Sequence, residues 1–418
     1  MPVQWLIAAA SWTLDAGSRI SLPRREPVSA IVPARTSIFD LAAAESWCTH
    51  ASASPAHLQS VYRHLFRRGG ALTAEALHSE AGLPRQLASG MCSAFVPCSS
   101  RVVERVESAG GRKLVVELAS GLRVETVLIM HEHLSTGRQR CTVCVSSQVG
   151  CGRQCSFCAT GTMGALAQLS AAEILEQVWH ARQSVREDGG AEVRNVVFMG
   201  MGEPLDNLDA VLSSLRGMTH QSLFDLGARR ITVSTVGGSA GRIMRLADEA
   251  PRVRLALSLH AATQQLREEL IPSARAVPLD ALGEALDYHA RETGAGACLE
   301  YLLIAGLNDQ PDHADALAAF CRERKGPAGF CNLIPYNPTS AGALHGYETP
   351  SDESVAAFHA RLREVHGVHA LVRWSSAAGR DAAGACGQLV VEGGRSKGEE
   401  IHPGSRVERY SAGRALPT

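Results

Sequence analysis

The spacing of apolar residues changes along the chain and predicts a different kind of element in each part. Up to about residue 53 the sequence is rich in Ala and Ser with weak periodicity, which predicts a loosely structured extension. Ser54 and Pro55 then have the form of a helix N-cap followed by Pro at the first helical position. The apolar residues that follow them at helical spacing are Leu58, Val61, Tyr62, Leu65 and Phe66. A packed helix is therefore expected to begin at residue 54.

Between residues 102 and 130 the pattern becomes that of β-strands. Three apolar runs are separated by the turn signals Gly110-Gly111 and Ser120-Gly121, which predicts a meander of hairpins. The predicted strands are residues 102–106, 114–118 and 122–129. Together with the preceding helix they are expected to form a small N-terminal accessory domain, part helical and part hairpin, over residues 54–130.

From residue 141 onward, strand-like runs alternate with amphipathic helical runs. The six predicted strands are residues 141–147, 194–200, 230–235, 254–260, 299–305 and 331–335. Ser170-Ala-Ala-Glu173 is a capping box that opens one of the helices between them. Such alternation predicts parallel strands with right-handed crossovers, and six units rather than eight predict a partial (β/α)6 barrel over residues 137–375. Residues 376–418 would follow it as a C-terminal segment with a flexible tail.

Length, charge and cysteine content narrow the range of functions. A chain of 418 residues is long enough for one main domain with smaller additions. The net charge is −1, so any nucleic-acid site must be a local basic patch. Twelve cysteines are too sparse for a disulfide scaffold, and their clustering favours metal chemistry in a reducing compartment such as the cytoplasm. No apolar run reaches the ~18 residues that a membrane span needs.

Arginines stand out in two places of the N-terminal part. Residues 1–36 carry four arginines against Asp15 and Glu26, and we interpret this stretch as a disordered leader. A plastid or mitochondrial transit peptide is the alternative interpretation. Arg63, Arg67 and Arg68 lie off the apolar stripe of the first predicted helix. They form either a solvated face, which residue statistics favour, or a patch that faces phosphates.

The densest group of cysteines is Cys151-Gly-Arg-Gln-Cys155-Ser-Phe-Cys158, a C-x3-C-x2-C pattern. Iron–sulfur clusters are held by thiolates at short spacings. Three ligands in one loop would hold three irons of a [4Fe–4S] cluster and leave the fourth open to a small molecule. A four-cysteine zinc site is the alternative, built from Cys141, Cys144, Cys155 and Cys158, and it would leave Cys151 without a role. Buried structural cysteines are the third interpretation.

Polar residues stand at the ends of four predicted strands. In Gly200-Met-Gly-Glu-Pro204, glycines such as Gly202 let the backbone approach a ligand, and Glu203 could accept hydrogen bonds from a ligand ammonium. The other strand-end residues are Ser234, Ser258, Leu259, His260 and Asn337. Their hydroxyl, imidazole and amide groups suit a ribose, a carboxylate and an adenine edge. Taken singly, each is more typical of a turn.

Two further residues have reactive side chains. Glu125 shares a predicted strand face with Val127 and Ile129, and a carboxylate among apolar neighbours would be a stronger base than one in water. A solvated strand glutamate is the alternative. Cys386 lies in a loop rich in Gly and Ala beyond the barrel, where no packing argument requires a thiol.

The C-x3-C-x2-C pattern is the signature of radical S-adenosylmethionine (SAM) enzymes, and the flanking motifs narrow the resemblance. Cys144-Val-Ser-Ser-Gln-Val-Gly-Cys151, Gly200-Met-Gly-Glu-Pro204 and Ala385-Cys386-Gly-Gln-Leu389 together resemble the RlmN/Cfr family of RNA adenine methyltransferases. The resemblance covers residues 55–392 and implies the partial barrel. It also implies a [4Fe–4S] cluster on Cys151, Cys155 and Cys158. It implies a SAM site made by Gly202, Glu203, Ser234, Ser258, Leu259, His260 and Asn337.

The family chemistry implies roles for three more residues. The C2 carbon of adenine is electron-poor and cannot attack the sulfonium methyl of SAM directly. By analogy, one SAM methylates Cys386, and a second SAM yields a radical that takes hydrogen from this methyl group. The carbon radical then adds to adenine and forms a covalent enzyme–RNA adduct. Loss of the ring proton to Glu125 and attack of Cys144 on the Cys386 sulfur would release the product and leave a disulfide, which a reductant reopens.

The substrate implied by the resemblance is adenine C2 in large-subunit, 23S-type ribosomal RNA, with the adenine beside the transfer RNA anticodon as a second substrate. A Cfr-like enzyme acting on C8 is the rival within the family. A non-catalytic Fe–S protein that binds RNA or transfers electrons is the rival outside it.

The expected partners are RNA and an electron donor such as flavodoxin or ferredoxin. The enzyme is expected to be a monomer with no membrane attachment. The family's Arg-Gly pair is replaced here by Arg373-Trp-Ser-Ser-Ala-Ala-Gly379, which affects RNA handling more than the radical chemistry.

Overall fold

The computed structural model describes most of the chain from residue 35 onward. The described residues are 35–108, 110–132, 139–187, 191–324, 329–374, 384–385, 387–389, 391–392, 395–396 and 407–409. The leader over residues 1–34 and Cys386 lie outside the described residues.

The strands are numbered in chain order. They are β1 Thr36–Ser37, β2 Phe95–Val96, β3 Arg101–Ser108, β4 Gly111–Glu117, β5 Arg123–Glu132, β6 Gln139–Cys144, β7 Gln148–Cys151, β8 Gly164–Gln168, β9 Glu192–Phe198, β10 Ile231–Thr235, β11 Arg254–Ser258, β12 Cys298–Leu303, β13 Cys331–Pro335, β14 Ala370–Val372, β15 Val391–Glu392, β16 Arg395–Ser396 and β17 Val407–Arg409. Among the described residues, eleven of these strands form one sheet in the order β14-β13-β12-β11-β10-β9-β6-β5-β4-β3-β17.

The α-helices are likewise numbered in chain order. They are α1 Leu41–His50, α2 Pro55–Tyr62, α3 Ala74–Ser79, α4 Arg85–Ala94, α5 Ala171–Glu187, α6 Leu208–Thr219, α7 Ala240–Glu249, α8 Gln264–Leu270, α9 Leu279–Thr293, α10 Pro311–Arg322, α11 Ser340–Ala343 and α12 Asp352–Ala360. Two segments with π-helical hydrogen bonding, Arg63–Arg67 and Arg361–Val365, continue α2 and α12. None of the described helices is long and apolar enough to cross a membrane.

The part of the sheet from β6 to β14 confirms the predicted α/β architecture. All six predicted strands are present, and each pairs in parallel with its neighbours along β6, β9, β10, β11, β12 and β13. A seventh parallel strand, β14, follows beside β13 and was not predicted, because three residues are too short to show a periodic pattern. The sheet ends at β14 in the described part of the chain, so the barrel is open there.

The predicted hairpin meander is also present, but it is not a sheet of its own. Strands β3, β4 and β5 pair antiparallel in sequence, and β5 then pairs antiparallel with β6, the first strand of the barrel. The predicted boundary between the accessory domain and the core therefore falls inside one continuous sheet. This continuity places residues of the meander beside the first barrel strand.

Regular secondary structure occurs earlier in the chain than predicted, with β1 and α1 before residue 54. Asp40 caps α1 by accepting a hydrogen bond from the Ala43 N–H at 3.0 Å, and Phe39 just before it is fully buried. The Phe39 ring packs against Phe66 and Phe224, with centroids 4.5 and 5.7 Å apart. These partners are distant in sequence, so the local pattern before residue 54 gave no sign of them. The start predicted for α2 is confirmed, with Ser54 as N-cap and Pro at the first turn.

Glu176, a buried residue of α5, ties the N-terminal segments to the barrel. Its carboxylate accepts hydrogen bonds from Ser37 Oγ at 2.5 Å and from the backbone N–H groups of Ser99 and Ser100 at 2.8 and 2.9 Å. Burial by itself would raise the pKa of Glu176, but these hydrogen bonds outweigh it and hold the pKa below its usual value. The carboxylate is therefore ionised and satisfied inside the fold.

Candidate functional site

The three cysteines of the C-x3-C-x2-C pattern lie in one tight loop between β7 and β8. Cys151 ends β7, and Gln154 turns the loop with a left-handed backbone, at a φ of 54°. The Cys158 N–H donates to the Cys155 carbonyl at 3.1 Å, which closes the turn. Cys155 is buried, whereas Cys151 and Cys158 are half-buried. Burial raises the pKa of Cys155 well above its usual value, and the nearby charges of Cys158 and Cys151 raise it further.

This arrangement fits a cluster ligand set better than the zinc alternative. Cys141 and Cys144 are three residues apart on strand β6, so their side chains point to opposite faces of the sheet. Cys141 pairs with Met130 and Cys144 with Val127, which keeps the two thiols apart. Among the described residues, no three His, Cys, Asp or Glu side chains are grouped to hold one metal ion. The three loop cysteines, by contrast, come from one short loop and are close enough for the charges of Cys158 and Cys151 to raise the pKa of Cys155.

The Gly-Glu-Pro turn follows β9 and is packed against the start of β7. Gly202 has a φ of 96°, and a Cβ there would lie 2.5 Å from Gln148 Cβ. Glu203 is buried and donates its N–H to Gln148 Oε1 at 2.7 Å. Its two carboxylate oxygens accept the N–H groups of Leu205 at 3.1 Å and Val236 at 3.0 Å. Burial raises the pKa of Glu203, and these hydrogen bonds counter the rise.

The other predicted cofactor residues lie at neighbouring strand ends, at the edge where barrel enzymes place their chemistry. Ser234 is the last residue but one of β10 and Ser258 ends β11, with their hydroxyl oxygens 3.3 Å apart. Leu259 is fully buried next to them. Asn337 follows β13, is 2% exposed, and its Nδ2 has no hydrogen-bond partner among the described residues. A buried amide N–H without a partner is rare in folded proteins and suits a site that holds a ligand.

His260 follows β11 and packs against the cysteine loop. Its backbone is left-handed, at a φ of 59°, and its Nδ1 accepts the Leu302 N–H at 3.0 Å. The ring meets Phe157 edge to face, with centroids 4.9 Å apart, and so packs against the cysteine loop. Burial lowers the pKa of His260 to about 3, and the charge of Arg267 adds to this. The ring is thus a neutral packing group that joins the β11 end to the loop.

Glu125 and Cys144 lie on the same face of the sheet. Cys144 on β6 pairs with Val127 on β5, and Glu125 is two residues from Val127, so all three side chains point the same way. Lys113 on β4 also pairs with Val127 and shares this face. Its Nζ lies 3.0 Å from Glu125 Oε1. Lys113 could not be recognised from the sequence, because its pairing depends on the register of β4 and β5.

The backbone of Glu125 is fixed beside the Gly-Glu-Pro turn. Its N–H points to Met201 Sδ at 3.4 Å, and its carbonyl accepts the Ser146 hydroxyl at 2.7 Å. The same Ser146 hydroxyl accepts the Met201 N–H at 2.9 Å. Two predicted site elements, the strand glutamate and the glycine-rich turn, therefore meet through Ser146 and Met201.

Cys386 lies outside the described residues, but its neighbours are described. The Gly387 carbonyl accepts the Ala159 N–H at 2.8 Å, directly after Cys158. The Leu389 carbonyl accepts the Thr160 hydroxyl at 2.5 Å. Gln388 donates its Nε2 to the Pro338 carbonyl at 3.1 Å, next to Asn337. The motif around Cys386 is therefore packed on the turn that follows the third loop cysteine.

The arginines of the first helix, and Arg373 before the altered Arg-Gly segment, differ in exposure and in hydrogen-bond partners. Arg67 donates to Asp225 at 2.8 Å and to the Gln221 carbonyl at 3.1 Å, so it is used within the fold. Arg63 and Arg68 are exposed. Arg373 donates its Nε to Asn332 Oδ1 at 2.7 Å, and Trp374 beside it is 48% exposed.

Known proteins resemble the chain over most of its length. Residues 145–317 match the family described as the Radical SAM superfamily. The chain is 40% identical over 330 residues to a probable dual-specificity RNA methyltransferase RlmN of Moorella thermoacetica, covering 78% of this chain and 90% of that protein. It is 39% identical over 315 residues to a ribosomal RNA large subunit methyltransferase N of Nitrosopumilus maritimus, covering 74% and 86%. A solved radical SAM methyltransferase from Sphaerobacter thermophilus superimposes with a TM-score of 0.75 at 35% identity, over 85% of this chain and 99% of that one.

Proposed function

Because the chain belongs to the RlmN family of radical SAM RNA methyltransferases, we propose that it methylates C2 of an adenine in large-subunit, 23S-type ribosomal RNA through a methylated Cys386. Two SAM molecules would be consumed in each turnover. Proteins of this family use a [4Fe–4S] cluster and SAM. Bound together, these groups supply a methyl group in one step and a carbon-centred radical in another.

We assign the cluster to Cys151, Cys155 and Cys158, and the SAM site to the strand ends around them. Glu203, Ser234, Ser258 and Asn337 would surround the methionine and adenosine parts of SAM. The buried Asn337 amide, which lacks a hydrogen-bond partner among the described residues, supports this assignment because an adenine edge would satisfy it. Gly202, Leu259 and His260 shape the walls of the site.

The observation that carries the proposal is the hydrogen bond from the Ala159 N–H to the Gly387 carbonyl, at 2.8 Å. It holds the residue after Cys386 on the turn that follows Cys158. A methyl group on Cys386 would then lie within reach of a radical formed at the cluster, which is what hydrogen abstraction requires.

Cys144 and Glu125 would complete the reaction from the sheet face beside this turn. Glu125 accepts the ring proton of the adduct, and its ion pair with Lys113 keeps the carboxylate ionised and therefore able to accept it. The unpaired electron of the adduct would pass to the oxidised cluster. Cys144 would then attack the Cys386 sulfur, break the bond between that sulfur and the methylene carbon, and form a disulfide. An electron donor such as flavodoxin or ferredoxin would supply electrons for SAM cleavage, and reduction reopens the disulfide.

The experiment is anaerobic reconstitution with iron and sulfide, followed by an assay of RNA methylation and of 5′-deoxyadenosine release. Mass spectrometry of the digested RNA identifies the isomer, and 2-methyladenine in 23S-type RNA is the expected product. A C8-methylated product would replace the proposal by the Cfr-like alternative. Transfer RNA added as a separate substrate tests the adenine beside the anticodon, for which the dual-specificity name of the Moorella relative gives support.

The Cys386→Ala variant tests whether the protein methylates RNA through this cysteine or only binds RNA. This variant should lose RNA methylation, while a matched Cys321→Ala variant, on α10 away from the loop, should keep it. If Cys386→Ala methylates RNA as the wild type does, the methyl-cysteine step is wrong. If neither wild type nor variant releases 5′-deoxyadenosine, a non-catalytic Fe–S protein is favoured instead.

A further inference from the structure

Arg267 on α8 is a buried cation whose charge the described part of the fold leaves unbalanced. The residue is 0% exposed. Its Nη2 donates to the Val236 carbonyl, but Nε and Nη1 have no hydrogen-bond partner among the described residues. No described carboxylate forms an ion pair with it. Burial lowers the pKa of Arg267 to about 10, so the guanidinium is still charged at neutral pH.

Such an arrangement is unfavourable unless an anion lies beside it. A buried charge loses the solvation that water provides, and in folded proteins it is paired with an opposite charge or bound to a metal site. A methionine of similar volume would pack in the same place at a lower cost in free energy. The position of this arginine therefore points to an anionic group that joins the site after the chain has folded.

The surroundings of Arg267 identify that group. Cys155 packs in the same buried cluster as Leu270 and Ile271, which lie one turn after Arg267 in and beside α8, and a thiolate at Cys155 favours the charged form of Arg267. Helix α8 is also tied to the cysteine loop, because Ser156 donates its N–H to the Leu270 carbonyl at 3.0 Å. The Val236 carbonyl accepts a hydrogen bond from Arg267, and the Val236 N–H donates to Glu203 Oε2 at 3.0 Å. The guanidinium thus lies between the cysteine loop and the Gly-Glu-Pro turn.

We propose that Arg267 is the counter-charge of the Cys155 corner of the cluster and that it raises the cluster's reduction potential. The inference rests on the proposed function, since it needs the cluster on the three loop cysteines. A [4Fe–4S] cluster with three thiolates is an anion, and it gains one more negative charge when the electron donor reduces it. A fixed cation close to one thiolate stabilises the reduced form more than the oxidised form. Arg267 acts as a positioning and electrostatic residue, with no bond formed or broken at it.

The test compares Arg267→Met, which removes the charge, with Arg267→Lys, which keeps it. Arg182→Met is the matched control, because burial also lowers the pKa of Arg182 to about 10 but this arginine stacks on Phe224, 4.8 Å from the ring centroid. Each protein is reconstituted anaerobically without SAM, and iron and sulfide per chain are measured. A reductive titration followed by electron paramagnetic resonance then gives the potential of the cluster in each variant.

For Arg267→Met we expect the ratio of reduced to oxidised cluster at a fixed potential to fall about tenfold, which is ~59 mV for a one-electron couple. Arg267→Lys should recover most of this change, and Arg182→Met should match the wild type. A folded Arg267→Met protein that loses its cluster, while Arg267→Lys retains it, also supports the inference.

An unchanged potential in fully loaded Arg267→Met would overturn the inference. So would an equal change in Arg182→Met, since that change would not depend on proximity to Cys155. Weaker SAM binding at an unchanged potential would assign Arg267 to the SAM carboxylate and would equally overturn it. These outcomes differ from a failure of the proposed function, in which the wild type itself carries no iron or leaves RNA unmethylated.

Discussion

The ammonium of Lys113 lies 3.0 Å from Oε1 of Glu125, and the two side chains are only 3% and 1% exposed. The pair connects neighbouring strands β4 and β5 on the face that also carries Cys144. An ammonium within ~4–6 Å of a carboxylate favours its ionised form. If Glu125 accepts the ring proton, Lys113 determines the lowest pH at which it can do so.

Lys113→Met should therefore move the acid limb of the pH–rate profile of methylation to higher pH. A carboxylate must be ionised to act as a base, and without the ammonium burial favours its protonated form. Activity would then fall most at low pH and recover as the pH rises. By strand register, the other ionisable side chains on this face are Cys144, Arg101, Glu104, Glu117, Arg123, His131 and Arg140. Arg123, the cation two residues from Glu125, already donates to Glu117 at 2.8 and 3.0 Å.

Lys113→Arg is the control, because it keeps the positive charge and should keep the acid limb near its wild-type position. Release of 5′-deoxyadenosine should change little in either variant, since this step precedes proton loss. A Lys113→Met profile that is lowered equally at every pH would assign the pair a purely structural role.

Cys144→Ala should trap the enzyme on its RNA. Without the attacking thiol, the bond between the Cys386 sulfur and the methylene carbon is not broken, so protein and RNA stay covalently joined. A denaturing gel with labelled RNA would show a slowly migrating band that nuclease removes. The double variant Cys144→Ala, Cys386→Ala should give no such band, and its appearance there would rule out Cys386 as the attachment point.

Gly202→Ala should weaken SAM binding and destabilise the protein by at least about 1–3 kcal/mol. The backbone there has a φ of 96°, and an added Cβ would meet Gln148 Cβ at 2.5 Å. Gly241→Ala is the control, because Gly241 lies in helix α7 with nothing within 4 Å of an added Cβ. Isothermal titration calorimetry measures the affinity for SAM, and urea denaturation measures the free energy of unfolding. A Gly202→Ala protein with normal SAM affinity would show that this turn does not shape the site.

Glu176→Gln should lower the free energy of unfolding by about 1–3 kcal/mol near neutral pH, because the carboxylate accepts several hydrogen bonds inside the fold. The folded-state pKa of Glu176 lies below its usual value, so its contribution is present above the unfolded pKa of ~4.3 and is lost as the pH falls through the folded pKa. The difference between wild type and variant should shrink on acidification. Glu284→Gln, an exposed substitution on α9, should be neutral throughout.

The sequence by itself determined the α/β class, six of the parallel strands, the start of α2 and the loop with three cysteines. These features are local. A buried parallel strand is a continuous apolar run, a helix start is a cap followed by a stripe, and C-x3-C-x2-C is a spacing within eight residues. The strand-end residues could be recognised for the same reason, because each follows directly on a recognisable strand.

The tertiary structure decided what depends on partners far apart in the chain. The segment with β1 and α1 depends on the packing of Phe39 against Phe66 and Phe224, and β14 exists because it pairs with β13. Lys113 meets Glu125 only through the register of two strands. Arg267, which the sequence pattern of α8 presents as an ordinary helix arginine, is buried because α8 packs against the cysteine loop. The roles of Cys386 and of the C2 position stay predictions. Strand pairing and the compensation of buried charges are properties of the folded chain, which the local spacing of residues does not encode.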